Sequence, residues 1–199
     1  MAYSYSIVGM QILGQRDTQE DNYIISYVDE RETNLRSAPT LIVMADGMGG
    51  HAAGDIASRI AVDIFTTHFT KNYHTASEVD LLQSSLDASN AEIRAAAHGN
   101  TRKGMGCTFV GALFKQQSMW WVSVGDSHLY LLRNNQIIKK NEDHSYGAYL
   151  KHLQAQGKAI SNETDQNSNV LLSAMDGGKI ERVDLPRLPL ELQAGDRII

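Results

Sequence analysis

The sequence predicts an α+β fold with largely antiparallel sheets. Three observations predict it. Segments rich in aromatic and β-branched residues come first, two segments of helical period follow, and beyond Cys107 the apolar period drops to two. A doubly wound parallel sheet needs strand and helix to alternate along the chain, and here they do not.

Residues 3–13 and 23–28 read as strands from their tyrosines, isoleucines and valines, with a polar loop over 14–22 between them. Residues 29–39 are charged and end near Pro39, so they read as an exposed connection. The short apolar run over 41–45 suits a strand buried on both faces. Ile56, Ile60, Ile64 and His68 recur every four residues, with Ala57, Ala61 and Phe65 beside them, which marks an amphipathic helix. Val79, Leu82, Leu86, Ile93 and Ala97 mark a second helix, with Gly99 and Asn100 near its end. Residues 108–114, 119–124, 128–133 and 136–139 then form a four-strand meander. Gln116-Gln117-Ser118 supplies one turn, and Asn134-Asn135 a two-residue hairpin loop. A short helix over 146–157, a polar stretch over 160–169, and a turn with a strand opening at Gly195-Asp196-Arg197-Ile198-Ile199 complete the chain.

Of the 199 residues, 42% are apolar and 21% charged, which excludes wholesale disorder and leaves enough apolar mass for one real core. Apolar runs such as 119–124 are too short to span a bilayer, and the N-terminus lacks the basic start and apolar stretch of a secretory signal. A net charge of −5 argues against nucleic-acid binding through bulk charge. The single Cys107 forms no internal disulfide and fits a reducing compartment, so the expected setting is the cytoplasm, with neither membrane nor nucleic acid as partner.

Three clusters carry candidate chemistry. Arg16-Asp17-Thr18-Gln19-Glu20-Asp21-Asn22 lies in a loop between strands, and on its own reads as a solvated charged turn. Asp46-Gly47-Met48-Gly49-Gly50-His51 lies between a buried strand and a helix, and its glycines point to close approach or unusual dihedrals. It has neither the lysine of a P-loop nor the spacing of a dinucleotide site. Val124-Gly125-Asp126-Ser127 lies between meander strands, where an aspartate can simply cap a turn. Each cluster sets a carboxylate at the end of a strand, so packed sheets can bring all three to one edge. Converging carboxylates with a backbone carbonyl make a hard oxygen site, suited to Mg²⁺ or Mn²⁺ rather than zinc.

The sequence resembles the metal-dependent serine/threonine protein phosphatases (PPM, type 2C) of bacterial type. The resemblance is carried in order by Gly14-x-Arg16-x-x-x-Glu20-Asp21-Asn22, by Asp46-Gly47-Met48-Gly49-Gly50-His51 with Gly54 and Ala57-Ser58, and by Gly104-Met105-Gly106-Cys107-Thr108. It continues through Val124-Gly125-Asp126-Ser127, Asp143-His144-Ser145 and Gly195-Asp196-Arg197. It implies an α-β-β-α sandwich, two packed antiparallel sheets flanked by helices, with two or three Mn²⁺ or Mg²⁺ ions at one end. Glu20, Asp46 and the Gly47 carbonyl would hold one ion, with Asp46 bridging to a second. Asp21 would orient water from behind the ligands, Asp126 would serve a third position, and Arg16 would grip the substrate phosphate. A metal-bridging water would attack phosphoserine or phosphothreonine in phosphoprotein substrates of a serine/threonine kinase. No covalent phosphoenzyme is needed, in keeping with the lack of a Cys-x5-Arg motif around Cys107.

Departures from the family pattern are Met48 where some members carry a histidine, Ser168 where arginine is common, and Cys107 where threonine or serine is usual. His51 reads as a helix cap and His144 as structural. The resemblance places two further metal-ligating aspartates, in Ser-Asp-Gly and Asp-Asn motifs, after Ile199. Residues 1–199 therefore read as one phosphatase-like domain lacking its C-terminal strands, poorly active by itself and prone to associate. The competing expectations are a pseudophosphatase module that binds phosphoprotein in a regulatory role, and a carboxylate-metal hydrolase of another class.

Overall fold

In a computed structural model of the chain, the described residues are 4–29, 38–49, 52–97, 104–158 and 168–199. The expectations for most of 29–39, for His51, for Gly99 and Asn100, and for most of 160–169 fall outside them.

The larger sheet contains β1 (Asp21–Tyr27), β2 (Thr40–Met48), β4 (Phe109–Lys115), β5 (Ser118–Val124) and β8 (Leu190–Glu191) in the order β1-β2-β4-β5-β8, with β3 (Gly106–Cys107) pairing the end of β2. All of these pairings are antiparallel. One face is covered by α1 (Ala52–Asn72) and α2 (Glu78–Ala96). Alanines 53, 57 and 61 let α1 lie close to the sheet, while Phe65 and Phe69 fill the wider gap beneath it and meet Leu41, Val43, Phe109 and Val122. Leu81, Leu82, Leu86 and Ile93 give α2 its buried stripe, and the Ser77 hydroxyl caps its first turn by accepting from the Asp80 N–H at 3.2 Å.

The other face carries a second, smaller core of Val110, Ala112, Phe114, Met119, Trp121, Leu129 and Leu192. Above it lies the sheet β7-β6-β9, made by β6 (Tyr130–Arg133), β7 (Gln136–Lys139) and β9 (Arg197–Ile198). Asn134 and Asn135 both adopt positive φ (53° and 62°), the geometry a two-residue hairpin loop demands. Half-buried Asp196 receives a two-pronged bond from Arg133 (2.9 and 2.6 Å), which ties the opening of β9 to β6. The short helix α3 (Tyr146–Ala155) stands where its period predicts.

Two expectations are corrected. Residues 4–13 form no strand. They lie over the second face of the sheet: Tyr5 packs edge-on against Phe114 with ring centroids 5.4 Å apart, Gly9 makes room for the Tyr23 ring, and Gln11 donates to the Asp21 carbonyl at 2.7 Å. Strand composition gives a strand only where a neighbouring backbone offers a ladder. The first meander strand begins at Phe109 rather than Thr108. Thr108 stands between β3 and β4, its N–H donating to the Asp46 carbonyl at 2.9 Å and its hydroxyl pairing with Ser127 at 2.6 Å.

Along the second face, Tyr23, Ile25, Tyr27 and Met44 are 37–50% exposed beside the still more exposed Val8, Met10 and Ile12. Such a contiguous apolar patch promotes association. The purified 1–199 chain is expected to self-associate in light scattering, and Ile25→Lys with Tyr27→Glu to reduce that. A monodisperse monomer would contradict this.

Candidate metal and phosphate site

The β1–β2 register places Asp21 directly opposite Asp46. Side chains alternate along a strand, so these two carboxylates share the face that also bears Tyr23 and Met44. Like charges directly opposite one another repel, and the arrangement calls for a cation between or beside them. The Asp46 carboxyl is accordingly pushed up to about 6, first by desolvation at the end of the sheet, then by the charge and hydrogen bond of Asp21, then by Asp126, with Arg16 pulling the other way. Those influences bring Arg16, Asp21, Asp46 and Asp126 into one neighbourhood.

Glu20 enters from the helix side. A Cβ on Gly54 would stand 3.1 Å from the Glu20 carboxyl carbon and 2.9 Å from the backbone of Gly47, so the glycine lets α1, Glu20 and the end of β2 approach closely. Its carbonyl accepts from the Ser58 hydroxyl at 2.5 Å and from the Gly47 N–H at 3.1 Å. Asn22 in turn donates to the Ser58 hydroxyl at 2.8 Å, which makes the third residue of Glu20-Asp21-Asn22 a brace for the first. Gly47 sits against the Gly54 carbonyl, only 2.3 Å from where a Cβ would stand, and Gly49 has a φ of 120°. The glycines of this loop therefore serve chain-to-chain packing and a left-handed turn. Gly47→Ala is expected to lower stability by about 3 kcal/mol, measured by urea unfolding.

Asp126 follows Gly125, whose positive φ and contact with Thr108 fix the turn. His144 holds this loop twice: its Nδ1 accepts from the Gly125 N–H at 3.1 Å, and its own N–H donates to the Gly125 carbonyl at 3.0 Å. The proton of the neutral ring therefore sits on Nε2, which is buried without a hydrogen-bond partner. Burial pushes the His144 pKa below its ordinary 6.5. The unfolded chain binds a proton that the folded ring resists, so this contribution to stability is lost as pH falls below about 6.5. His144→Asn can keep an acceptor for Gly125 without titrating. Its melting temperature is expected to fall less than that of the wild type between pH 7.5 and 5.5.

Asp46, Asp126, Asn169, Ser173, Asp176 and Lys179 line a cavity of about 530 Å³. The last three were not singled out in the sequence. Their segment has no periodicity, and its only local signal is the turn-forming Asp176-Gly177-Gly178, in which Asp176 accepts from the Gly178 N–H at 2.7 Å. Cys107 lies behind the site opposite Gly47, and burial raises its thiol far above the reactive range.

The donor set fits a hard divalent ion. The donors are oxygens, two of them are paired face to face, and the Asp46 backbone is fixed by the Thr108 N–H at 2.9 Å. Among the described residues no three His, Cys, Asp or Glu side chains already stand gathered around one ion position. No helix among the described residues is long and apolar enough to cross a membrane.

Comparison with known proteins agrees with this architecture. The chain is 34% identical over 166 residues to serine/threonine phosphatase stp of Listeria innocua, covering 80% of this chain and 64% of that protein, somewhat less than two thirds of its length. It superposes on the Mycobacterium tuberculosis serine/threonine phosphatase PstP/Ppp with a TM-score of 0.68 at 26% identity, over 92% of this chain and 71% of that one. The catalytic domain of PstP in complex with two manganese ions matches with a TM-score of 0.65, also at 26% identity, over 92% and 70% of the two chains. The sequence profile described as protein phosphatase 2C matches residues 29–169, well over half of the chain. Shared sequence and a shared sandwich of antiparallel sheets thus agree: the chain belongs to the protein phosphatase 2C family.

Proposed function

We propose that this chain carries the metal site of a phosphatase that hydrolyses phosphoserine and phosphothreonine in proteins, the products of a serine/threonine kinase in the cytoplasm. The observation that carries the reading is Asp21 facing Asp46 across β1 and β2, with the Asp46 carboxyl held near 6. Such a pair is unfavourable alone and favourable around a divalent cation. Glu20, Asp46 and the Gly47 carbonyl would hold one Mn²⁺ or Mg²⁺ ion, with Asp46 shared with a second, Asp21 would orient water from behind these ligands, and Asp126 would serve a further ion. When bound, two or three such ions supply Lewis acidity and lower the pKa of a water molecule, the nucleophile. Arg16 would bind the phosphate oxygens through its planar fork, holding phosphorus in line with that water and the departing oxygen. The Asp126 loop, braced by His144, keeps its carboxylate at the cavity edge.

The test is release of phosphate from a phosphothreonine peptide by the purified full-length protein. Manganese-dependent release abolished by a chelator supports the reading, and release indifferent to metal contradicts it. The second reading, a module that binds phosphoprotein without hydrolysing it, draws on the lack of a gathered three-ligand cluster among the described residues. Saturable binding of the peptide with no release would favour it.

A further inference from the structure

A buried asparagine in the middle of a helix needs a reason, because its amide competes with the helix backbone and is costly without partners. Asn90 of α2 is 7% exposed, on the stripe that also bears Leu86 and Ile93. Its partners lie 87 and 88 residues away. The carboxamide oxygen accepts from the Gly177 N–H at 2.9 Å, and the carboxamide nitrogen donates to the Gly178 carbonyl at 2.8 Å. Gly177 has a φ of 81° and rests on the helix backbone, where a Cβ would stand 2.6 Å from the Cα of Arg94, whose Nε also donates to the Gly177 carbonyl.

This clamp holds one end of the segment that walls the cavity. Next to it, Met175 and Cys107 exchange two backbone hydrogen bonds of 2.9 and 3.0 Å, and Cys107 stands opposite Gly47 in the β2–β3 pair. The wall is therefore strung between α2 and the strand end that carries Asp46. Ser173, Asp176 and Lys179 lie on it, facing the same cavity as Asp46 and Asp126. Among the described residues none of the carboxylates proposed as ligands is bonded to Asn90, so the clamp acts on them only through the wall.

We propose that Asn90 is a positioning residue for substrate: by fixing Gly177 and Gly178 it sets the wall bearing Ser173, Asp176 and Lys179, which receives the peptide flanking the phosphorylated side chain. The inference rests on the phosphatase reading and specifies its substrate contact. A peptide substrate spans the wall, whereas a small aryl phosphate occupies only the metal end. The two substrates therefore separate positioning from general support of the fold.

The experiment compares wild type and Asn90→Ala, as the full-length protein, on a phosphothreonine peptide and on p-nitrophenyl phosphate. The KM for peptide is expected to rise about tenfold, a loss of about 1.4 kcal/mol, while kcat for peptide and both constants for the aryl phosphate stay within about twofold. A parallel fall on both substrates, or an unchanged peptide KM, overturns the proposal. Should Asn90→Ala fail to fold, the solvent-exposed Lys179→Ala decides: a raised peptide KM supports the wall's role, and an unchanged one overturns it. If the wild type hydrolyses neither substrate, the phosphatase reading fails by itself. The clamp is then judged by anisotropy of a labelled phosphopeptide, where a tenfold weaker Kd for Asn90→Ala supports it and an equal Kd overturns it.

Discussion

Asp46→Asn is expected to abolish manganese binding at the end of β1 and β2 and, at pH 7 without metal, to raise the melting temperature. Both effects have one origin. In the folded chain the Asp46 carboxyl holds its proton up to about 6, against an ordinary 3.8, because it is desolvated and faces Asp21 with Asp126 nearby. A group whose folded pKa is raised contributes stability that is complete below the unfolded value and is lost as pH rises through the folded one. At pH 7 the ionised carboxylate thus works against folding, and the neutral amide relieves it. The thermal gain should shrink on acidification through pH 6 and vanish below about pH 4. The same carboxylate must be deprotonated to hold a cation, so manganese affinity of the wild type should weaken about tenfold per unit below pH 6. Titration calorimetry and thermal melts at several pH values measure both. A variant that binds manganese as well as the wild type would remove Asp46 from the site.

Arg16→Ala is expected to lower kcat/KM on a phosphothreonine peptide by about 100-fold, the loss of roughly 3 kcal/mol of charge-assisted hydrogen bonding. Arg16→Lys should recover only part of this, because an ammonium lacks the fork that meets two phosphate oxygens at once. Arg16 sits in the loop after Gly14, close enough for its charge to stabilise the ionised Asp46, so its removal should also nudge the Asp46 pKa further upward. Manganese affinity at pH 8, where Asp46 is ionised in either case, should change little. Equal loss of metal affinity and peptide turnover would assign Arg16 to the metal rather than to phosphate.

What the sequence made legible follows from the range over which each signal acts. The helices were readable because a four-residue apolar spacing reports the helix and its buried face together, as Ala57, Ala61 and Phe65 show. The Asn134-Asn135 hairpin was readable because only a few residue types tolerate positive φ at both positions. The carboxylate loops were readable as candidates because acidic residues at strand ends are costly without a cation.

Other features exist only through contacts distant in sequence. The composition of residues 4–13 is that of a strand, yet whether a strand forms depends on a backbone partner that no local pattern specifies. Thr108 donates its N–H to the Asp46 carbonyl, and nothing near Thr108 in the sequence announces it. The pairing of Asp46 with Asp21, rather than with Glu20 alone, emerges from register, where a shift of one residue would turn Asp21 toward α1. Asp176 and Lys179 flank the two glycines that Asn90, from a helix far earlier in the chain, holds by its side chain.

Anomalous diffraction at the manganese edge from crystals soaked in Mn²⁺ tests the metal site most directly. An anomalous peak is expected within coordinating distance of the Asp46 carboxylate, at the end of β1 and β2, and is expected to be lost in Asp46→Asn. Manganese bound only elsewhere, or a peak that survives the substitution, would contradict it.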